Sequence, residues 1–185
     1  MVCWSVRGLI ALAALCFVSS IAAAASVDAW IAVEADRLSG RTLVVSCADD
    51  ARGWAQALRA VGLPPAGADE YDGFSLIQRG ELHLSPYVCN GLRLGLAPST
   101  RRSNELQVAW SVDVLVHESV HLGRFTADEA LTEACARAGL PGELHHLSGI
   151  AYHSVELERL TRLAALVRRT MGPAYQGGAC PPPGA

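Results

Sequence analysis

The segment Asn104 to Leu122 (NELQVAWSVDVLVHESVHL) constrains this chain more than any other, because it is apolar on most helical faces yet ends in three titratable side chains. Leu106, Val108, Trp110, Val114, Leu115 and Val116 leave no wide polar stripe, and a helix apolar nearly all round is a buried one. His117 and His121 stand four residues apart, one turn along the same face, so both imidazoles can reach a single ion. Glu118 is rotated by about 100° from His117, which lets it reach a water on that ion without becoming a ligand. Two histidines and a glutamate in so apolar a helix carry a heavy desolvation penalty unless they are paired or coordinated. The HExxH spacing therefore predicts a zinc site, in which the ion lowers the pKa of a bound water and Glu118 acts as general base. The alternative is a partly solvated polar patch at a helix end beside Gly123.

A catalytic zinc site uses three protein ligands and keeps a fourth position open, so one ligand must come from elsewhere. The metzincin pattern would need Gly and His where this chain has Arg124 and Ala127, and is excluded. The following helix offers Glu129 and Glu133. Glu133-Ala134-Cys135-Ala136 resembles the ExxA pattern of gluzincins, whose third ligand is a glutamate on a helix after the HExxH helix. The resemblance covers Asn104 to Gly139, with a shorter gap between His121 and Glu133 than in most peptidases of that clan. It implies a minimal gluzincin-like metallopeptidase, similar to exported bacterial proteins with a short HExxH–helix–Glu arrangement, in which His117, His121 and Glu133 hold Zn²⁺. Glu129 has a structural reading instead: Thr126-Ala127-Asp128-Glu129 has the form of a capping box, whose Glu turns back to the N-cap amide.

Other candidates are secondary. Asp113 lies one turn before His117 and could orient that imidazole, or be an ordinary helix carboxylate. Gluzincins stabilise an oxyanion with a Tyr or His, for which Tyr152, His153, His145 and His146 are available; each is read first as a surface or packing residue. His83 is read as structural. Gluzincins also hold the peptide along an edge strand before the HExxH helix, and Glu81 to Leu84 is the strand suited to that part.

Along the rest of the chain, periodicity predicts a helix over residues 27–38, a short strand over Thr42 to Cys47 and a helix over Ala51 to Val61. A β-hairpin is expected from Phe74 to Leu84, turning at Arg79-Gly80. Pro86 is read as its end, and the stretch from Cys89 to Ser103 as irregular. After the HExxH helix comes the glutamate helix, Ala127 to Ala138, stopped by Gly139 and Pro141. A long C-terminal helix follows from His146 to Met171, with Glu158 and Arg162 as a supporting i,i+4 pair. The fold class is α+β, mostly helical: a small zincin-like domain over residues 26–172 and a Gly/Pro-rich tail over 173–185.

Residues 1–25 have the layout of a secretory signal, with one charge at Arg7, an apolar run from Gly8 and small residues from Ala22 to Ala25. The alternative is an uncleaved anchor through residues 8–25, at the lower edge of what spans a bilayer. Either way the remainder is exported, secreted or held in the cell envelope. All 15 basic residues are Arg, they form no basic run, and net charge is −3, so nothing calls for nucleic acid as a partner. Of six Cys, Cys3 and Cys16 lie in the leader, and Cys47, Cys89, Cys135 and Cys180 remain. An even number in an exported domain predicts disulfides. The preferred pairing of the three possible is Cys47–Cys89, tying the first strand to the hairpin's exit, with Cys135–Cys180 pinning the tail to the glutamate helix. The sequence thus points to a zinc-dependent hydrolase acting on a peptide or protein. The alternative is a non-enzymatic, disulfide-stabilised zinc-binding domain that docks on a partner or the envelope.

Overall fold

A computed structural model describes residues 29–65, 71–96, 100, 102–147, 158–159, 161–163, 165–166 and 178–182. The expected signal segment lies outside the described residues, as do most of the C-terminal helix and tail. Among the described residues the chain runs α1 (Ala29–Ser39), β1 (Val44–Cys47), α2 (Ala51–Ala60), β2 (Gly73–Leu76), β3 (Glu81–Leu84) and α3 (Pro86–Leu96). A 3₁₀ turn (Arg102–Asn104) then leads into α4 (Glu105–Arg124) and α5 (Glu129–Leu147). The fold is α+β and mostly helical, with one small mixed sheet.

Helix α4 is the spine, as its all-round apolar pattern requires. Twelve of its 20 residues are buried, because α1, α3, α5 and the sheet all pack on it. Its Ala109, Val112, Leu115, Val116 and Leu122 meet Ile31 and Ala35 of α1, Val88 and Leu92 of α3, and Ala136, Leu140 and Leu144 of α5 in one core. The sheet has order β1-β3-β2, with β3 parallel to β1 and antiparallel to β2. Alternation along β3 sends Leu82 and Leu84 to the core, fully buried, and leaves Glu81 and His83 on the opposite face. There His83 Nδ1 lies 2.6 Å from Ser46 Oγ, Nε2 lies 3.2 Å from Glu81 Oε2, and the ring stacks on Phe74, so His83 is structural as expected. Because β3 is the central strand, it cannot be the edge that receives a peptide; the edge bordering α4 is β2.

Two helix boundaries differ from the sequence reading, and both differences have physical causes. The stretch after Cys89 is helical, not irregular. Ser85 caps α3 by accepting the Val88 N–H at 3.2 Å, and Pro86 occupies the first turn, where a missing N–H costs nothing. Gly91 and Gly95, which look like breakers, are one turn apart on the face against α4. A Cβ at Gly91 would lie 2.9 Å from Gln107 Cγ, and one at Gly95 would lie 3.0 Å from Val108 Cγ1. The glycines are there to let two helices approach. Likewise α5 does not stop at Gly139 and Pro141. An internal proline costs about 3 kcal/mol, but Leu140 before it and Leu144 beyond it are buried in the core, at roughly 1.5–3 kcal/mol each. Arg37 of α1 ties down the same turn, bonding both Glu34 and Glu143.

Both expected disulfides are present, Cys47–Cys89 and Cys135–Cys180, spanning 42 and 45 residues. Each is worth about 2–4 kcal/mol. They suit an oxidising, extracellular environment, and no helix among the described residues is long and apolar enough to cross a membrane. Glu158 and Arg162 do pair, at 3.5 Å.

The glycine packing sets opposite outcomes for one kind of substitution. Gly91→Ala should destabilise by about 1–3 kcal/mol through overpacking. Gly142→Ala, where an added Cβ meets nothing within 4 Å, should stabilise by about 1 kcal/mol through helix propensity. Urea denaturation distinguishes them; equal effects would mean that α3 does not pack on α4 as described.

Candidate metal centre

Helix α4 delivers His117 and His121 on one face near its C-terminal end, and the protein fixes which nitrogen each presents. His121 Nδ1 lies 2.7 Å from the Thr126 carbonyl, which can only accept, so Nδ1 carries the hydrogen. Thr132 Oγ1 is also within 3.1 Å of that nitrogen. His117 Nδ1 lies 3.3 Å from Glu133 Oε2, a carboxylate partner with the same consequence. The two Nε2 atoms are left facing each other at 3.1 Å, the rings nearly perpendicular.

The acid that joins them is Glu129. Its Oε2 is 3.1 Å from His117 Nε2 and its Oε1 is 3.4 Å from His121 Nε2. Among the described residues, only His117, His121 and Glu129 bring three such ligand atoms together, all within 4.8 Å. Glu133, expected as the third ligand, stands behind His117 with Oε2 3.3 Å from Nδ1, and Glu129, expected to turn back to a cap, stands with the converging atoms. The reason lies in where α5 begins. Asp128, not Thr126, is the N-cap: its Oδ1 accepts the Leu131 N–H at 3.0 Å, and the first helical bond is Thr132 N–H to the Asp128 carbonyl. Glu129 is then the first helical residue and projects from the mouth of the helix instead of folding back on a cap. Glu133, one turn deeper and 2 % exposed, is a carboxylate placed to orient His117. Asp113 is buried one turn earlier on α4.

A short link makes this possible. Only residues 125–128 separate α4 from α5. Phe125 adopts a left-handed conformation, φ 52°, which ends α4 and turns the chain. Arg41 steadies the turn: its guanidinium sits 3.9 Å from the Phe125 ring centroid and donates to the Leu122 carbonyl at 3.0 Å.

Glu118 lines the same cavity of about 270 Å³ as His117, His121 and Glu129, together with Phe74, Ser75 and Ile77 of the hairpin. Ser75 Oγ donates to Glu118 Oε2 at 2.7 Å, with the Glu118 carbonyl 3.0 Å away. Gly73 gives β2 its close approach, since a Cβ there would lie 3.1 Å from Glu118 Cγ. Ser75 and Thr132 carry no sequence signal, because their roles arise from elements that only the fold brings together, and Thr126, read as a cap, meets His121 through its carbonyl. Of the oxyanion candidates, Tyr152 and His153 lie outside the described residues. His146 pairs with Glu34 at 3.4 Å, and neither it nor His145 lines the cavity.

Electrostatics follow from this packing. Burial pushes His117 down, but hydrogen bonds to Glu129 and Glu133 and the charges of Glu118 and Glu129 outweigh it, holding the imidazole at about 9. Burial likewise opposes, and Glu129 and the Thr126 carbonyl favour, the raised value of His121. Hydrogen bonds from both imidazoles pull Glu129 down to about 2. The arrangement can hold a divalent metal ion.

The chain matches no protein-family model, and comparison with curated proteins and with solved structures finds no match.

Glu129→Ala should abolish tight metal binding, whereas Glu133→Gln should weaken it about 10–100-fold, the usual effect of losing a carboxylate behind a ligating histidine. Chelator-competition titration measures both, and the reverse ranking would return the ligand role to Glu133.

In the metal-free protein, the raised His117 value stabilises the fold fully below its ordinary 6.5, and that contribution is lost as pH rises through about 9. The lowered Glu129 value stabilises above its ordinary 4.5, and that contribution is lost as pH falls through about 2. Thermal melts in chelator should therefore peak between these ordinary values and decline toward pH 9, where metal uptake tightens as the competing proton leaves. A melt temperature flat from pH 6 to 9 would show that the imidazole–carboxylate pairing contributes nothing.

Proposed function

We propose that the protein is an exported zinc-dependent hydrolase of metallopeptidase type, in which residues 1–25 direct export and residues 26–172 form the zincin-like domain. The observation that carries this reading is the convergence of two imidazole Nε2 atoms and the Glu129 carboxylate on a cavity that Glu118 also lines. Tetrahedral zinc with ligands about 2.0–2.1 Å away separates any two of them by about 3.3–3.4 Å. Here the two Nε2 atoms are 3.1 Å apart, Glu129 reaches His117 through Oε2 at 3.1 Å and His121 through Oε1 at 3.4 Å, and with one atom taken from each residue the set lies within 4.8 Å. Zinc would supply Lewis acidity and an acidified water.

The remaining roles fall to this chain's own side chains. Thr126 and Glu133 keep the Nδ1 protons in place, so both histidines present Nε2 lone pairs. Ser75 occupies Glu118 Oε2, leaving Oε1 as the oxygen that takes a proton from the nucleophile. Strand β2 is the edge bordering the cavity and can receive an extended peptide by strand addition. The gluzincin resemblance supports the class of chemistry, with the ligating glutamate moved one turn toward the start of its helix. The second reading, a non-enzymatic domain in which zinc is structural, is favoured by cavity size: about 270 Å³ lies just under the roughly 300–1,000 Å³ of ordinary ligand pockets.

Protein purified without chelator should carry about one zinc per chain. Glu118→Gln should keep that zinc and lose hydrolysis of a fluorogenic peptide library by at least about 100-fold. Zinc binding with no hydrolysis by the unaltered protein would establish the structural reading, and activity surviving in Glu118→Gln would remove Glu118 as the base.

A further inference from the structure

A second cavity, of about 440 Å³, opens beside the first, and Tyr71 lines both. Its walls include Trp54, Tyr71 and Tyr87, with Asp72 and Ser85 between them, and among the described residues no Arg or His lines it. Asp72 links the hairpin to α4: its Oδ2 accepts the Trp110 indole N–H at 2.6 Å, and its Oδ1 accepts the Ser85 hydroxyl at 3.4 Å. These bonds place the carboxylate without neutralising it. Trp54 is anchored by its indole N–H on the Tyr71 carbonyl at 3.0 Å and stacks on Phe74, ring centroids 5.5 Å apart.

We propose that this cavity is a binding site for an organic cation of the alkylammonium class. Aromatic faces attract a cation through the ring quadrupole, most strongly when it sheds water, and a quaternary ammonium needs no hydrogen bonds in return. Asp72 supplies the opposite charge while its oxygens already serve Trp110 and Ser85. That combination disfavours ammonium-type ligands rich in N–H and disfavours metal ions, which need several free oxygen ligands. Burial raises the Asp72 carboxyl above its ordinary value, against the hydrogen bonds from Trp110 and Ser85, and the Asp72 charge adds to the burial that raises Tyr87. Asp72 thus sets its charge beside Tyr87 at the cavity wall.

The test is a titration of the full disulfide-bonded chain with tetramethylammonium chloride against sodium chloride at matched ionic strength. The readout is the indole N–H resonances of Trp54 and Trp110. A saturable shift with tetramethylammonium alone is expected. It should be weakened at least tenfold by Asp72→Asn and severalfold by Tyr87→Leu, a change at a half-exposed side chain that leaves the fold intact if Asp72→Asn does not. The same shift with sodium, or binding unaffected in Tyr87→Leu, overturns the proposal. Phosphatidylcholine vesicles separate the sources. Co-sedimentation lost in Tyr87→Leu identifies a lipid headgroup, and no co-sedimentation with tetramethylammonium binding retained identifies a free cation.

Discussion

The structure turns on the cost of placing two imidazoles and three carboxylates around the end of a buried apolar helix. Each charge taken from water must be repaid by a partner at contact distance. His117 and His121 meet that requirement through Glu129, Glu133, the Thr126 carbonyl and each other. Every neighbouring element is positioned by this demand. Helix α5 must start within reach of the imidazoles, the link before it must be short, and β2 must pass close enough for Ser75 to hold Glu118.

The elements that meet this demand do so by close approach rather than by bulk. Gly73 brings the edge strand onto α4, Gly91 and Gly95 bring α3 onto it, and Gly123 sets α4 against Ser39 of α1, where a Cβ would lie 2.7 Å from the Ser39 carbonyl oxygen. Small residues at these points let the backbones touch, and the leucines and valines between them fill the remaining volume. The two disulfides fasten the same assembly, one joining β1 to α3 within the core and one joining α5 to Cys180. A polar centre on a buried helix is thereby held by packing that leaves it little freedom to rearrange.

Much of this was legible from the chain alone where a single element decided the matter. The burial of α4, the His117–His121 face, the hairpin and the disulfide pairs all followed from local pattern or from simple pairing arguments. Helix α3 and the full length of α5 did not. Gly91, Gly95, Gly139 and Pro141 carry the composition of loops, and only the packing of Val88, Leu92, Leu140 and Leu144 against α4 makes helix the lower state. The capping box at Thr126 was a sound local expectation, displaced by two residues because Asp128 caps the helix instead.

Sequence by itself determined which side chains are present and, through the four-residue spacing, that two imidazoles share one helical face. That spacing is a property of one helix, and helical geometry is local. Which carboxylate joins them was a tertiary decision. Glu129 and Glu133 lie one turn apart on the same helix and are chemically identical, and the one local rule that separates them, the capping box, does not hold once Asp128 caps the helix. The choice depends on the angle and starting point of α5 relative to α4, fixed by the left-handed turn at Phe125 and the Asp128 cap. A shift of one helical turn, about 5.4 Å, exchanges the acid at the Nε2 atoms for the acid behind them.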